Sequence, residues 1–531
     1  MISDNIISFE LRKCLRSCME VAQQEKLGII STAIKGVIDN LDSPMQLAII
    51  GKISSSKSTL VNAILGKDDV VEMGQMETTY NVSWLKYGSS DGDIKVVFKN
   101  GTSEMIKRAQ WKEWSSGHAE NKLRDTVKYI EVTYDHEMLK HVNIIDTPGL
   151  DSTLGVDSRN TIEFLKDVRP DAIIMVFTKA LAECTVNLVK EFQGGRNDGM
   201  FLSPVNAIGV LSKIDLLWSH NNTRLPVEIA QNDVIENNIY HLFPEIRETL
   251  FGIMPVCAML GLASTTIEQK DLNLIAELAK TDSEMLKEMF HNVNDFTDEY
   301  FKATISAKDR TYLQKQFGLY GVFELINFVK KENLNLTDAA AHLRKISGFD
   351  KFNRTVYSHF GQRSYLIKTQ SIKHIISQAC DKQREKVTSD TELNTISTIQ
   401  EKILTTLLGI FEYKQLDFLS KLYEGTMKIT DKQASEEYKR VCGEYGNSAI
   451  TRLNMKKNSQ ISEMAQESAK RAQAANLKST INKMKSPDDA ELYKMVALSY
   501  DNLAKRITEM KQMREDAEKI ISITNEFFYG E

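Results

Sequence analysis

Five short apolar runs constrain the first half of this chain more than any other feature. They are residues 46–50 (QLAII), 142–145 (VNII), 172–177 (AIIMVF), 207–211 (AIGVL) and 253–258 (IMPVCA). Each is nearly continuous in apolar residues, and helix-compatible stretches lie between several of them. Buried parallel strands have this signature, because helices cover both faces of their sheet. The expected fold is therefore α/β. Between the first two runs stand edge-type candidates, residues 94–98 before the turn Asn100-Gly101, and residues 129–134. Near Thr265 the strand signal stops. Residues 265–345 read as polar helices, and residues 360–528 are nearly all helix formers. The whole chain of 531 residues has only 8 prolines, which favours long helices. Breaks at Asp431, at 443–447 and at Ser486-Pro487 divide this half into three or four long antiparallel helices. Ahead of the first strand, residues 3–41 read as one amphipathic helix ended by Asp42-Ser43-Pro44.

Composition narrows the function. With 67 basic and 72 acidic residues the net charge is −5, so no basic excess points to nucleic acid. The six cysteines are Cys14, Cys18, Cys184, Cys257, Cys380 and Cys442. Only Cys14 and Cys18 are close in sequence, at helical spacing, where two small apolar residues on a buried stripe are expected. The pattern fits reduced thiols in a cytoplasmic protein. Charges Glu10, Arg12, Lys13 and Arg16 interrupt the first apolar residues, so no signal sequence is read there. No window approaches the length of a membrane-spanning helix.

The chemistry lies at the ends of the apolar runs. After the first comes Gly51-Lys52-Ile53-Ser54-Ser55-Ser56-Lys57-Ser58-Thr59, a phosphate-binding loop of the G-x-x-x-x-G-K-[ST] type with Ser56 in place of the second glycine. Backbone N–H groups and the following helix N-terminus cradle phosphates in such loops. Lys57 reaches the outer phosphates and Ser58 offers its hydroxyl to Mg²⁺. The position of Ser56 calls for a positive φ, which costs an L-residue about 1 kcal/mol. Asp146-Thr147-Pro148-Gly149 follows the second run; Asp146 is placed to hold Mg²⁺ through water and Gly149 to meet the γ-phosphate. Ser212-Lys213-Ile214-Asp215 follows the fourth, resembling a guanine-reading N-K-x-D. Its aspartate would accept from the N1–H and 2-amino edge of guanine, and Lys213 would lie along the base. At the end of the fifth run, Cys257 and Ala258 fall where a backbone N–H can meet the guanine carbonyl. A threonine for Mg²⁺ and the attacking water is sought between the loop and Asp146, where Thr79 and Thr78 are the candidates. The same threonines can equally open a strand over residues 81–87. Together the motifs point to GTP or GDP with Mg²⁺, and Lys213 with Asp215 disfavours an ATPase reading.

The head resembles the dynamin superfamily, bacterial dynamin-like proteins in particular. The resemblance rests on Ser54 and Ser55 before the loop lysine, on residues 60–66 (LVNAILG), on residues 146–152 (DTPGLDS), and on residues 168–172 (VRPDA) before a strand. Residues 347–350 (SGFD) and 360–363 (FGQR) look like the exit from such a head. The resemblance implies a P-loop GTPase head, with a mostly parallel sheet and helices on both faces, joined to an elongated all-α neck and stalk. The expected division is an N-terminal neck helix at 1–43, a head at 44–345 with a helical insertion from about 265, and a helical neck and stalk at 346–531. It further implies that Ser54 shields charge at the β–γ bridge, as a catalytic residue with Lys57, Thr79 and Thr78. Ile53 stands where eukaryotic dynamins carry a glutamine, and cannot position water.

By the same resemblance, heads pair with one another across their nucleotide faces, and hydrolysis is coupled to stalk movement. A related dynamin-like partner and peripheral contact at the inner face of a membrane are also implied. Residues 404–411 and 439–457 are the candidate membrane tips. The competing reading, motivated by Ser56 and Ile53, is a dynamin-like scaffold that binds a partner or paralogue without turnover.

Overall fold

A computed structural model describes residues 2–52, 54–68, 70–71, 81–111, 126–149, 168, 170–179, 204–219, 223–244, 246–331, 335–361, 363–423, 426–446 and 448–529. The chain forms two compact units. One is Asp39–Asn353; the other joins Met1–Ile38 to Arg354–Glu531.

The first unit is built on a nine-stranded sheet of order β4-β3-β5-β2-β6-β1-β7-β8-β9. The strands are β1 Met45–Gly51, β2 Ser83–Tyr87, β3 Ile94–Phe98, β4 Ser103–Ile106, β5 Val127–Tyr134, β6 Val142–Asp146, β7 Ala172–Phe177, β8 Ala207–Ser212 and β9 Ile253–Val256. Every residue of β6, β7 and β8 is buried, whereas β2 and β3 alternate buried and partly exposed positions. That contrast explains the topology. The apolar strands pair in parallel, β6-β1-β7-β8-β9, with both faces covered. The amphipathic strands form an extension in which β2 is antiparallel to β6, and β3 is antiparallel to β4 and β5. All five expected runs are strands; the short β4 carries too little pattern to be read from sequence.

Register then gathers the chemistry. Ile49 of β1 is paired with Asp146 of β6 and Ile174 of β7, and Gly51 with Val176. Ser212 of β8 is paired with Val256 of β9. The loops leaving these parallel strands therefore emerge on the same edge of the sheet, where such folds bind ligands.

Residues 265–346 belong to the core of this unit. Leu272, Ile275, Phe290, Phe296, Leu313 and Phe317 are buried in one cluster with Ile50, Phe177 and Leu211 of the strands. Among the described residues Arg310 is the largest fully buried side chain, and its guanidinium donates to the carbonyls of Phe296, Ile305 and Asp298. The carbonyls of Asp298 and Ile305 lie in an irregular stretch and that of Phe296 in the last turn of the short helix Val293–Thr297, so the arginine supplies donors that no secondary structure provides.

The second unit is all helix. Residues expected as one N-terminal helix form two, α1 Ile2–Gln24 and α2 Gly28–Asp42. Lys26 turns left-handed (φ 53°), and Leu27 N–H closes back on the Ala22 carbonyl at 2.8 Å. This is a helix stop whose left-handed position is usually glycine; a lysine there hides it from sequence reading. Similarly, residues 364–529 contain seven described helices rather than three or four. The breaks at Asp431, Gly443 and Ser486-Pro487 stand, and further ones fall at 385–389 and Ile410. The helices Ile461–Asn482 and Pro487–Tyr529 pack antiparallel, with Ser468 Oγ donating to the Tyr500 carbonyl and Ser479 Oγ to the Ala490 carbonyl, both at 2.7 Å. Buried Ala472 and Ala475 let the backbones approach.

Candidate nucleotide-binding site

The loop between β1 and α3 (Lys57–Leu65) is shaped by what surrounds Gly51. A Cβ there would lie 2.1 Å from the Val176 carbonyl oxygen of β7 and 2.9 Å from Ser55 Oγ, so only glycine fits. Ser54 (φ 59°) and Ser56 (φ 70°, ψ 28°) are both left-handed. The positive φ read for Ser56 is the one it adopts; that of Ser54 had no sequence signal. Each costs about 1 kcal/mol relative to glycine. Ser56 is the N-cap of α3 without a side-chain cap bond, which leaves first-turn N–H groups of α3 for an anion. Thr59 is half-buried in that turn.

Lys57 is folded into the loop, its Nζ donating to the carbonyls of Gly51 (3.1 Å) and Lys52 (3.0 Å). Burial lowers its pKa to about 8, against the opposing pull of Asp146. Asp146 ends β6 fully buried, and its Oδ2 accepts from Ser58 Oγ at 3.0 Å. Burial raises its carboxyl to about 6, while Lys57 and the Ser58 hydroxyl pull the other way. Thr147 Oγ1 donates to the Ile49 carbonyl at 2.9 Å, tying the end of β6 to β1 ahead of Gly149.

Two buried oxygens of this cluster, Asp146 Oδ1 and Ser55 Oγ, have no partner among the described residues. Buried oxygens are rarely left so. With Ser58 Oγ they form a set of hard donors that fits Mg²⁺ and a phosphate chain. Among the described residues no group of three or more His, Cys, Asp or Glu could hold a metal. A cation at Asp146 and Ser58 would therefore take its other ligands from phosphate and water.

At the far side of the same edge, Ser212 Oγ donates to the Phe177 carbonyl at 3.0 Å. It fastens β8 to β7, a structural task the sequence did not disclose. Lys213 is left-handed (φ 55°, ψ 38°), reversing the chain into the turn Ile214–Leu217. Asp215 Oδ1 accepts from Cys257 Sγ at 3.2 Å. Burial raises the Asp215 carboxyl, opposed by that bond and by Lys213. The Cys257 backbone N–H donates to the Ser347 carbonyl at 2.8 Å, so of the two backbone donors read from sequence it is already committed. Ala258 opens the helix Ala258–Thr266, and a first-turn N–H has no acceptor within its helix. The structure thus brings together Gly51, Ser54, Ser55, Ser56, Lys57, Ser58, Asp146 and Gly149 at one end, and Lys213, Asp215, Cys257 and Ala258 at the other. Ile53, Thr78 and Thr79 lie outside the described residues, as do Asp151, Ser152, Arg169 and Gln362 of the resemblance.

The buried Asp146 sets a pH signature. Its folded pKa of about 6 lies above the ordinary 3.8, so the native state holds an extra proton between those values. Its contribution therefore destabilises the fold progressively as pH rises from about 4 to 6. Asp146→Asn is expected to remove that slope, as read by urea unfolding of the nucleotide-free protein at pH 4.5 and 7. An unchanged slope refutes the assignment.

Residues 47–195 match the model of the dynamin family. Among curated proteins the chain is similar to the isoniazid-induced protein IniC of Mycobacterium tuberculosis, 24% identical over 430 residues, which are 78% of this chain and 81% of that one. It is also similar to dynamin-like protein 2 of Campylobacter jejuni, 27% identical over 139 residues, 26% of this chain and 22% of the other. A solved structure from work on an oligomerised bacterial dynamin pair, described as a mechanism for long-range sensing and tethering of membranes, aligns over 96% of this chain and 92% of its own with 14% identity and a TM-score of 0.34. With the phosphate loop and the buried Asp146 on one sheet edge, the family match over residues 47–195 and the similarity to these curated bacterial proteins support a bacterial dynamin-superfamily protein.

Proposed function

We propose that this protein binds GTP with Mg²⁺ and hydrolyses it, and that pairing of heads couples hydrolysis to movement of the helical parts, 1–43 and 346–531, against a head of 44–345. The single observation that carries the nucleotide reading is the meeting of Lys57, Ser58 and Asp146 beneath a left-handed loop on the same sheet edge as Asp215. In this reading Lys57 neutralises the outer phosphates, Ser58 and Asp146 hold the cation, and Ser54 faces the β–γ bridge. Thr79 or Thr78 supplies the remaining switch contact. The cation contributes charge neutralisation at the phosphates. Asp215 accepts from the guanine edge, Lys213 covers the base, and Ala258 offers a backbone donor to the guanine carbonyl.

Lys57→Ala is expected to abolish nucleotide binding, measured by titration with a fluorescent GTP analogue; unchanged affinity rejects the loop assignment. Asp215→Asn is expected to shift preference from GTP toward xanthine nucleotides in a competition assay, since the amide keeps an acceptor for N1–H but presents a donor, suited to the 2-oxo group of xanthine, where the carboxylate accepted from the 2-amino group of guanine. Wild-type binding without turnover at any protein concentration would favour the scaffold reading, in which Ser56 and Ile53 have removed catalysis but kept the fold.

For the membrane contact we propose a surface other than the two segments singled out from sequence. Ile403 and Leu407 of 404–411 and its flank are buried in the helical core, as are Val441, Cys442 and Leu453 of 439–457. The last turns of the helix Ile461–Asn482 instead expose Leu477 (64%) and Ile481 (55%), and the turn that joins it to Pro487–Tyr529 exposes Met484 (98%). Lys478, Lys483 and Lys485 are their neighbours in sequence, and no acidic residue occurs from 468 to 487. Apolar side chains flanked by lysines suit an anionic lipid surface, in a chain whose overall charge is negative. No helix among the described residues is long and apolar enough to cross a membrane. The full chain is expected to sediment with vesicles rich in anionic lipid and not with zwitterionic ones. The triple change Leu477→Ser, Ile481→Ser and Met484→Ser is expected to release it without altering its melting curve. Sedimentation that survives the change removes this surface from consideration.

A further inference from the structure

Discriminating guanine from adenine asks a carboxylate to accept two N–H groups at once, which tolerates little displacement. Asp215 sits on a single 3₁₀ turn, Ile214–Leu217, too short to fix a side chain by itself. Its surroundings must hold it. One support is Cys257, already described. Two others come from the helical segment 269–346, for which the sequence shows no motif.

The helix Ala307–Lys331 breaks at Gly318, with φ 64° and ψ 171°, a conformation essentially confined to glycine. The break lies against the guanine-reading turn. A Cβ on Gly318 would stand 2.5 Å from Met259 Cε and 3.9 Å from Asp215 Oδ2. Met259 follows Ala258, in the helix that Cys257 caps. At the other end of the turn, Trp218 is enclosed by aromatic rings of the same segment. Its centroid is 4.9 Å from Phe323, 6.0 Å from Tyr320 and 6.1 Å from Phe290. Gly318, Tyr320 and Phe323 all belong to one helix, at and just beyond its break. That helix therefore lies against both Asp215 and Trp218, and it is anchored in turn by Arg310.

We infer that the segment 269–346 forms an inner wall of the base subsite, in which Gly318, Met259 and Trp218 act as positioning residues that hold Asp215 for guanine. The inference rests on the guanine reading of Asp215. It assigns the segment a task in base selection. A side chain at 318 moves Met259 or the helix, and either motion reaches the Asp215 carboxylate. Loss of the Trp218 ring frees the other end of the turn. Neither change touches the phosphate loop, whose contacts are shared by all nucleoside diphosphates.

The test uses the full chain and measures displacement of a fluorescent GDP analogue by GDP and by ADP. For Gly318→Ala and for Trp218→Leu, GDP affinity is expected to fall roughly tenfold with ADP affinity unchanged, so that the GDP-to-ADP ratio falls by the same factor. Trp218→Phe, which keeps an aromatic ring in the cage, is expected to restore most of the ratio. A merely structural role would lower both affinities together and leave the ratio in place. Because Gly318→Ala forces alanine into a glycine conformation, Trp218→Leu, made on an unaltered backbone, decides the matter if the first variant does not fold. An unchanged ratio in folded variants of a wild-type protein that prefers GDP overturns this inference and leaves the guanine reading intact. A wild-type protein indifferent to GDP and ADP overturns the guanine reading, and this inference with it.

Discussion

The position of β1 between β6 and β7 is the constraint on which the head depends. Parallel pairing on both sides fixes where β1 ends, and the Val176 carbonyl then forbids any side chain on the residue that ends it. Gly51 turns the chain into the loop, the loop places Lys57 at the start of α3, and the neighbouring register brings Asp146 beneath Ser58. Shifting β1 by one residue would exchange its two faces and separate these groups. The phosphate end of the site is therefore a product of strand pairing before it is a product of loop sequence.

The site stores unfavourable electrostatics for use. Two ionisable groups are buried side by side, with Lys57 made a weaker base and Asp146 a weaker acid by the same removal from water. Buried pairs of this kind seldom add stability over apolar residues of equal volume. Here Lys57 is held by main-chain carbonyls and Asp146 by a hydroxyl, partners that a phosphate chain and its cation can replace. The serines in left-handed conformation add backbone strain at the same place. A loop carrying such costs is stable only because the apolar strands beneath it are so completely buried.

Much of this was legible in the sequence, and the failures are instructive. The five apolar runs marked the parallel strands because full burial leaves no alternation to confuse with a helix face. Ser56 was legible as a position needing positive φ, since the loop pattern names the place where glycine is usual. Ser54 and Lys26, equally left-handed, were not, because no pattern surrounds them. The role of Ser212 was hidden for another reason: its hydroxyl serves the Phe177 carbonyl, a contact made 35 residues away in sequence. Arg310, Gly318 and Trp218 escaped altogether. Each acts through tertiary contacts with irregular backbone or distant rings, and nothing in their local sequence distinguishes them from a surface arginine, a helix defect and a stray aromatic. The number of helices in the second half was underestimated because short polar breaks such as 385–389 lack the glycine and proline that announce a stop.

The second unit is assembled from both sides of the head in sequence, Met1–Ile38 and Arg354–Glu531. Leu11, Leu15, Cys18 and Ala22 of α1 are buried in it, and α1 lies along the helix Asp390–Gly409, where Thr406 bonds Cys14. On a ribosome α1 emerges ahead of the head, and its partner follows only after the whole head has been made, a delay on the order of tens of seconds at ordinary rates of synthesis. For that interval the apolar stripe of α1 has no permanent neighbour, while the head can complete its own core. The pace of translation, and whatever shelters a nascent amphipathic helix, therefore decide when the helical unit first exists.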